Sequence, residues 1–129
     1  MNIDAFAYLD RIRGIAFSQP GVTEGTCYGT PGFYTGKKLF ARLREEGDIL
    51  VIYTEERNAW MKKDAAVFYI TDHYINSNYM LVALPHVKNS DLEKLMQAAW
   101  LKRTNKSIVK QWIDGNNAGK KSIPAKKKL

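Results

Sequence analysis

The chain has 129 residues, 45% of them apolar and 26% charged, the size and balance of one globular domain with a single core, which excludes a fibrous or low-complexity protein. No apolar run reaches the roughly 20 residues that cross a bilayer, no leader pattern opens the chain, and the single cysteine, Cys27, excludes an internal disulfide framework; together these point to a cytoplasmic protein with no membrane partner. The net charge of +7 is unevenly spread: residues 116–129 carry Lys120, Lys121, Lys126, Lys127 and Lys128 and no acid, while residues 1–115 hold 15 basic and 13 acidic side chains. A nearly neutral domain over 1–115 followed by a basic, disordered tail over 116–129 is therefore expected.

Over residues 3–18, Phe6, Leu9, Ile12 and Ala16 recur at the spacing of one helical face, with Asn2 placed to cap the helix and Pro20-Gly21 to stop it. Residues 23–53 are rich in β-branched and aromatic side chains and punctuated by Gly29, Pro31, Gly36 and Gly47. This predicts an antiparallel meander: a short extended piece at 23–28, strands at 32–35, 38–44 and 49–53, and tight turns at Gly36-Lys37 and Glu46-Gly47-Asp48.

Thr54 stands where it caps a helix over 55–64 with Ala59 and Trp60 turned inward. Strands near 67–71 and 79–84 follow, joined by a polar connection containing Asp72, His73, Asn76, Ser77 and Asn78. Ser90 and Glu93 have the spacing of a capping box before the apolar set Leu92, Leu95, Met96 and Ala99, and Ile108, Val109, Trp112 and Ile113 predict a short last helix ending at Gly115.

The predicted fold class is α+β: a two-layer sandwich with an antiparallel sheet of about five strands and helices on one face. The order is helix, three strands, helix, two strands, helix, plus a short C-terminal helix. No strand-helix-strand alternation and no Gly-rich phosphate loop occurs, so nucleotide hydrolysis is disfavoured.

The string Cys27-Tyr28-Gly29-Thr30-Pro31-Gly32-Phe33-Tyr34, running into Lys38-Leu39-Phe40-Ala41-Arg42-Leu43, resembles the MmcQ/YjbR family of small bacterial proteins. His73-Tyr74 followed by a strand over 80–84, and the stretch 91–100 running into 106–112, are similar to the family's other two motifs. The resemblance covers roughly residues 18–113. It implies a two-layer fold of the CyaY-like or secretion-chaperone-like kind, and a DNA-binding label attached to projecting loops. The chain departs from the pattern after His73-Tyr74, where it reads Ile75-Asn76-Ser77-Asn78-Tyr79-Met80.

Strict alternation along 38–44 places Lys38, Phe40, Arg42 and Arg44 on one face and Leu39, Ala41 and Leu43 on the other, against the helices. A basic stripe holding an aromatic is suited to phosphates and a stacked base, with Tyr34 extending the platform and Lys37 beside it. The alternative is a solvated charged surface with Phe40 covered by a loop, the C-terminal helix or a partner subunit. Ile49, Val51 and Tyr53 alternate with Leu50 and Ile52, so both faces of that strand are apolar and something must cover the second one.

Cys27 with His73 or His86, and the carboxylates Glu45, Glu46 and Asp48, are the available catalytic types, but as a small buried thiol, a loop histidine and a solvated turn they need no chemistry. No ligand spacing for a metal is present, and no cofactor is expected. The expectation is a non-enzymatic binding domain, contacting DNA through Lys37, Lys38, Phe40, Arg42, Arg44 and the basic tail, with His73 and Tyr74 in a possible ligand loop. The rival is a protein-interaction or homodimer module using the second sheet face.

Overall fold

The computed structural model describes residues 3–121, with side-chain surroundings for residues 5–115. The expected cap Asn2, the tail lysines Lys126, Lys127 and Lys128, and the side chains of Lys120 and Lys121 lie outside the described residues.

Helix α1 (Ile3–Ala16) leads into strands β1 (Val22–Cys27), β2 (Thr30–Thr35), β3 (Lys38–Leu43) and β4 (Ile49–Tyr53). Helix α2 (Arg57–Lys63), the two-residue strand β5 (Phe68–Tyr69), a 3-10 turn (Asp72–Tyr74) and β6 (Tyr79–Ala83) follow, and then helices α3 (Asn89–Arg103) and α4 (Lys106–Lys121). All pairings are antiparallel, in the order β1-β2-β3-β4-β6-β5. The sheet has six strands rather than five, because residues 22–27 pair along their whole length with β2.

The helices pack on one side of this sheet. Leu50 and Ile52 of β4 stand opposite Val82 and Met80 of β6, and with Phe33, Ala41 and Leu43 they meet Leu92, Leu95, Met96, Ala99 and Trp100 of α3. On α1 the buried stripe is Ala5, Leu9, Ile12 and Ala16; Phe6, expected in it, is 62% exposed because it lies one residue off that row. Trp100 donates its indole N–H to the Pro20 carbonyl (3.1 Å) and meets Trp112 of α4 edge-on at 5.3 Å, so two tryptophans tie both ends of the chain to α3.

Several local expectations shift by a few residues. The Thr54 hydroxyl accepts from the Glu56 N–H (3.1 Å), forming a turn that delays α2 to Arg57. Trp60 is half-buried with its ring 5.0 Å from Phe68, whereas Ala59 is exposed. Helix α3 starts at Asn89 behind an extended Lys88, so Ser90 lies inside the helix and makes no cap. The earlier start buries Asp91, which holds Lys63 Nζ at 2.9 Å and pins α2 to α3. Thr104 ends α3, and α4 continues past Gly115 to Lys121.

Gly47 has φ +84, and any Cβ there would sit 2.9 Å from the Ala5 Cβ, so the β3–β4 turn demands glycine for both backbone and space.

Candidate functional site

The pairing of β2 with β3 shifts at Phe33/Tyr34: Phe33 faces Ala41 while Tyr34 faces Leu39, leaving Phe40 as the extra residue of a bulge. Alternation therefore breaks within β3. Phe40 is fully buried in the core with Ala41 and Leu43, and does not form the aromatic of an exposed basic stripe. Burying a phenylalanine is worth roughly 1.5–3 kcal/mol, which favours the bulge over strict alternation.

The stripe itself is dismantled. Lys37 and Lys38 are exposed at the β2–β3 turn, roughly 13 Å along the strand from Arg42 at about 3.3 Å per residue. Arg44 is half-buried and meets Glu46 at 3.4 Å. Arg42 is only 8% exposed, on the face away from the helices, in register with Gly32 and Val51.

Three bonds hold the Arg42 guanidinium: it donates to the Thr30 hydroxyl and the Leu43 carbonyl, each at 3.1 Å, and at the longer 3.4 Å to the Tyr74 hydroxyl. The Thr30 hydroxyl can accept that bond because it donates its own proton to the Cys27 carbonyl at 2.8 Å. No Asp or Glu among the described residues forms an ion pair with Arg42. A cation this deep without a counter-charge has lost most of its hydration and gained only neutral acceptors.

Above Arg42 stands Tyr28. Cys27 pairs with Thr30, so Tyr28 and Gly29 form a two-residue hairpin turn, both at positive φ (+52 and +79). The left-handed conformation costs a non-glycine residue about 1–2 kcal/mol. It leaves Tyr28 84% exposed, with the Arg42 guanidinium 5.3 Å from the ring centroid.

The opposite wall is the connection between β5 and β6. Arg57 clamps it by donating to the carbonyls of Tyr74 (2.7 Å), Ile75 (3.1 Å) and Tyr79 (3.1 Å). His73 packs edge-on against Tyr74 at 4.8 Å. This connection lies over Val51, and with Leu81 also buried, the cover sought for the second face of β4 comes from the chain itself. The motif residues His73 and Tyr74 thus arrive beside Arg42, which sequence spacing did not place near them.

Between these walls lie two adjoining clefts that share Arg42, His73 and Tyr74. One, of about 250 Å³, is floored by Leu39, Val51 and Tyr79; the other, of about 190 Å³, is edged by Arg44, Glu45 and Thr71. Burial pushes the Tyr79 phenol above its ordinary pKa against the opposing pull of Arg103, and it donates to the Leu39 carbonyl at 2.9 Å. Tyr34 lies over β1 because Gly25 leaves room: a Cβ there would meet the Tyr34 ring at 3.2 Å, and the phenol donates to the Thr26 carbonyl at 3.3 Å. The Tyr34 phenol is raised by desolvation first and by the Cys27 thiol second, so the thiol's electrostatic neighbour is a phenol. His86 lines a separate cleft with Lys63 and Asp91.

A larger groove of about 670 Å³ runs over the helical layer between Arg11, Gln19 and Trp112. Its arginine, Arg11, is half-buried with its Nε unpartnered among the described residues, and its one aromatic is Trp112; the Arg42 clefts join a deeper cation to several rings and are the better candidate. The sequence marked Tyr28 and Thr30 only as members of the string over 27–34, with no site role, and carried no signal for Arg57. Among the described residues, no helix is long and apolar enough to cross a membrane, and no three His, Cys, Asp or Glu side chains gather as a metal site.

Fold and site together define a small α+β domain with a helix-covered core and an arginine-centred cleft on the sheet face away from the helices. A solved structure of this fold is the Deinococcus radiodurans protein DR2400, with a DUF419 domain: TM-score 0.64, 18% identity, over 77% of this chain and 80% of that one. No family model matches the chain, and no curated protein is similar to it in sequence.

Proposed function

We propose that the chain is a non-enzymatic nucleic-acid-binding domain of the MmcQ/YjbR type, acting through the sheet face away from the helices. The DUF419 domain of the structural neighbour is the MmcQ/YjbR-like family, which agrees with the motifs around Tyr28, Arg42 and His73. The observation that carries the reading is Arg42: a nine-tenths buried cation in no ion pair among the described residues, opening on clefts walled by aromatic rings. Such a group is completed by an anionic oxygen, and Tyr28 and Tyr74 offer faces for stacking. The nucleic-acid contacts move accordingly, from a surface stripe to Arg42, Arg44, Tyr28, His73 and Tyr74, with Lys37, Lys38 and the tail lysines as outlying nonspecific attraction.

Fluorescence anisotropy of labelled oligonucleotides against the full chain, over a salt series, tests this. Affinity is expected to fall linearly in log salt, and Arg44→Ala to weaken binding to all sequences alike. Salt-independent binding, or none, would remove the reading.

A further inference from the structure

The shape of the Arg42 clefts bears on which nucleic acid the domain takes. Resting on the nucleic-acid reading, we infer that the clefts seat one unstacked base and its adjoining phosphate, so that the ligand is a single strand and not a duplex.

The two clefts differ in chemistry and meet at one guanidinium. The 250 Å³ cleft offers rings and aliphatic floor from Tyr28, Leu39, Val51 and Tyr79; the 190 Å³ cleft offers Arg44, Thr71 and His73. Arg42 belongs to both and makes no ion pair with any described carboxylate. A planar apolar group beside an anion is the pattern of a single nucleotide. Each cleft is smaller than the roughly 300–1,000 Å³ of a site that encloses a drug-sized ligand, which limits the occupant to one flat ring at a time.

Depth excludes a duplex. Duplex phosphates are reached by cations that project from the surface, and paired bases keep their faces stacked inside the helix. Arg42 is recessed between Tyr28 and Tyr74, and the projecting Lys37 and Lys38 lie at the far end of the β2–β3 hairpin from Tyr28. A single strand exposes its base faces, and aromatic platforms bind them. Tyr28 is such a platform: a strained, solvent-facing ring over a cation. Glu45 also edges the polar cleft and opposes an anion there, against the attraction of Arg42 and Arg44.

The test titrates the full chain with labelled oligo-dT, oligo-U and a mixed-sequence duplex of equal length, using wild type, Tyr28→Ala and Arg42→Gln, with circular dichroism confirming the fold. Single strands are expected to bind at least about tenfold tighter than the duplex, and Tyr28→Ala to weaken single-strand binding roughly 5- to 100-fold, as loss of one base–aromatic stack does. Arg42→Gln should weaken single strands similarly and reduce the salt slope by about one phosphate. Tyr28 is exposed, so its variant stays folded even if Arg42→Gln does not. The ratio of oligo-dT to oligo-U reports whether DNA or RNA is preferred, with either order consistent provided both exceed the duplex. Equal or tighter duplex binding, or a silent Tyr28→Ala, overturns the single-strand inference and leaves nucleic-acid binding standing. Binding to none of the three removes both.

Discussion

Leu50 and Val51 are neighbours on β4 and both are buried, yet they are buried by different things. Leu50 faces α1 and α3 in a core of interlocking aliphatic and aromatic side chains. Val51 faces a thin cover of hydrogen-bonded loop, clamped by Arg57 and enclosing a cation instead of a hydrocarbon. The first face is sealed by area, the second by a few directed polar bonds. That difference separates stability from function: close packing leaves no space for a ligand, whereas a loop over a sheet leaves clefts with unspent hydrogen-bonding and charge.

The sharpest challenge to this division is Phe40→Ala. If the bulge turns Phe40 into the core, equilibrium denaturation should show a loss of about 3–5 kcal/mol, as for other buried phenylalanines. Unchanged stability with weakened oligonucleotide binding would instead restore the exposed stripe. Next in size is Arg42→Met, which removes the donor to the Thr30 hydroxyl and the Leu43 carbonyl and should cost about 1–3 kcal/mol while abolishing the anion contact. A stability loss with no binding loss would make Arg42 a brace for the loop alone.

Tyr28→Asn should move the two properties in opposite directions. Asparagine tolerates the left-handed turn, so the variant is expected to gain about 1 kcal/mol in denaturant while binding single strands less tightly. Such a gain would show that the loop-covered face holds strain the helical face does not.

The smallest effect concerns the sheet edge. Arg13 Nε and one terminal nitrogen grip both Glu24 oxygens at 2.7 Å, tying α1 to β1, and this bond holds the Glu24 carboxyl below its ordinary value of 4.5. A folded pKa below the unfolded one means the contribution is present above 4.5 and lost as pH falls through the depressed value. Because Arg13 and Glu24 side chains are 44% and 24% exposed, the pair is worth only about 0.2–1 kcal/mol. Glu24→Gln should therefore lower stability slightly at neutral pH and flatten the acid limb of the denaturation midpoint.

How much of this was legible beforehand depends on the range of the force involved. Helical faces such as Leu92, Leu95, Met96 and Ala99, the strand over 49–53, and the turns at Gly36 and Gly47 follow from periodicity and backbone sterics within a few residues, and sequence alone determined them. The two-layer α+β class followed from their order. The orientation of Phe40 did not, because the register of two strands is settled by pairing and core filling across the sheet, and a single bulge reverses which side chains face water. Arg42 likewise reads locally as a surface charge. Only tertiary structure could bury it, since the loop that does so comes from about thirty residues onward and is held there by bonds from Arg57 to backbone carbonyls, which no side-chain pattern marks.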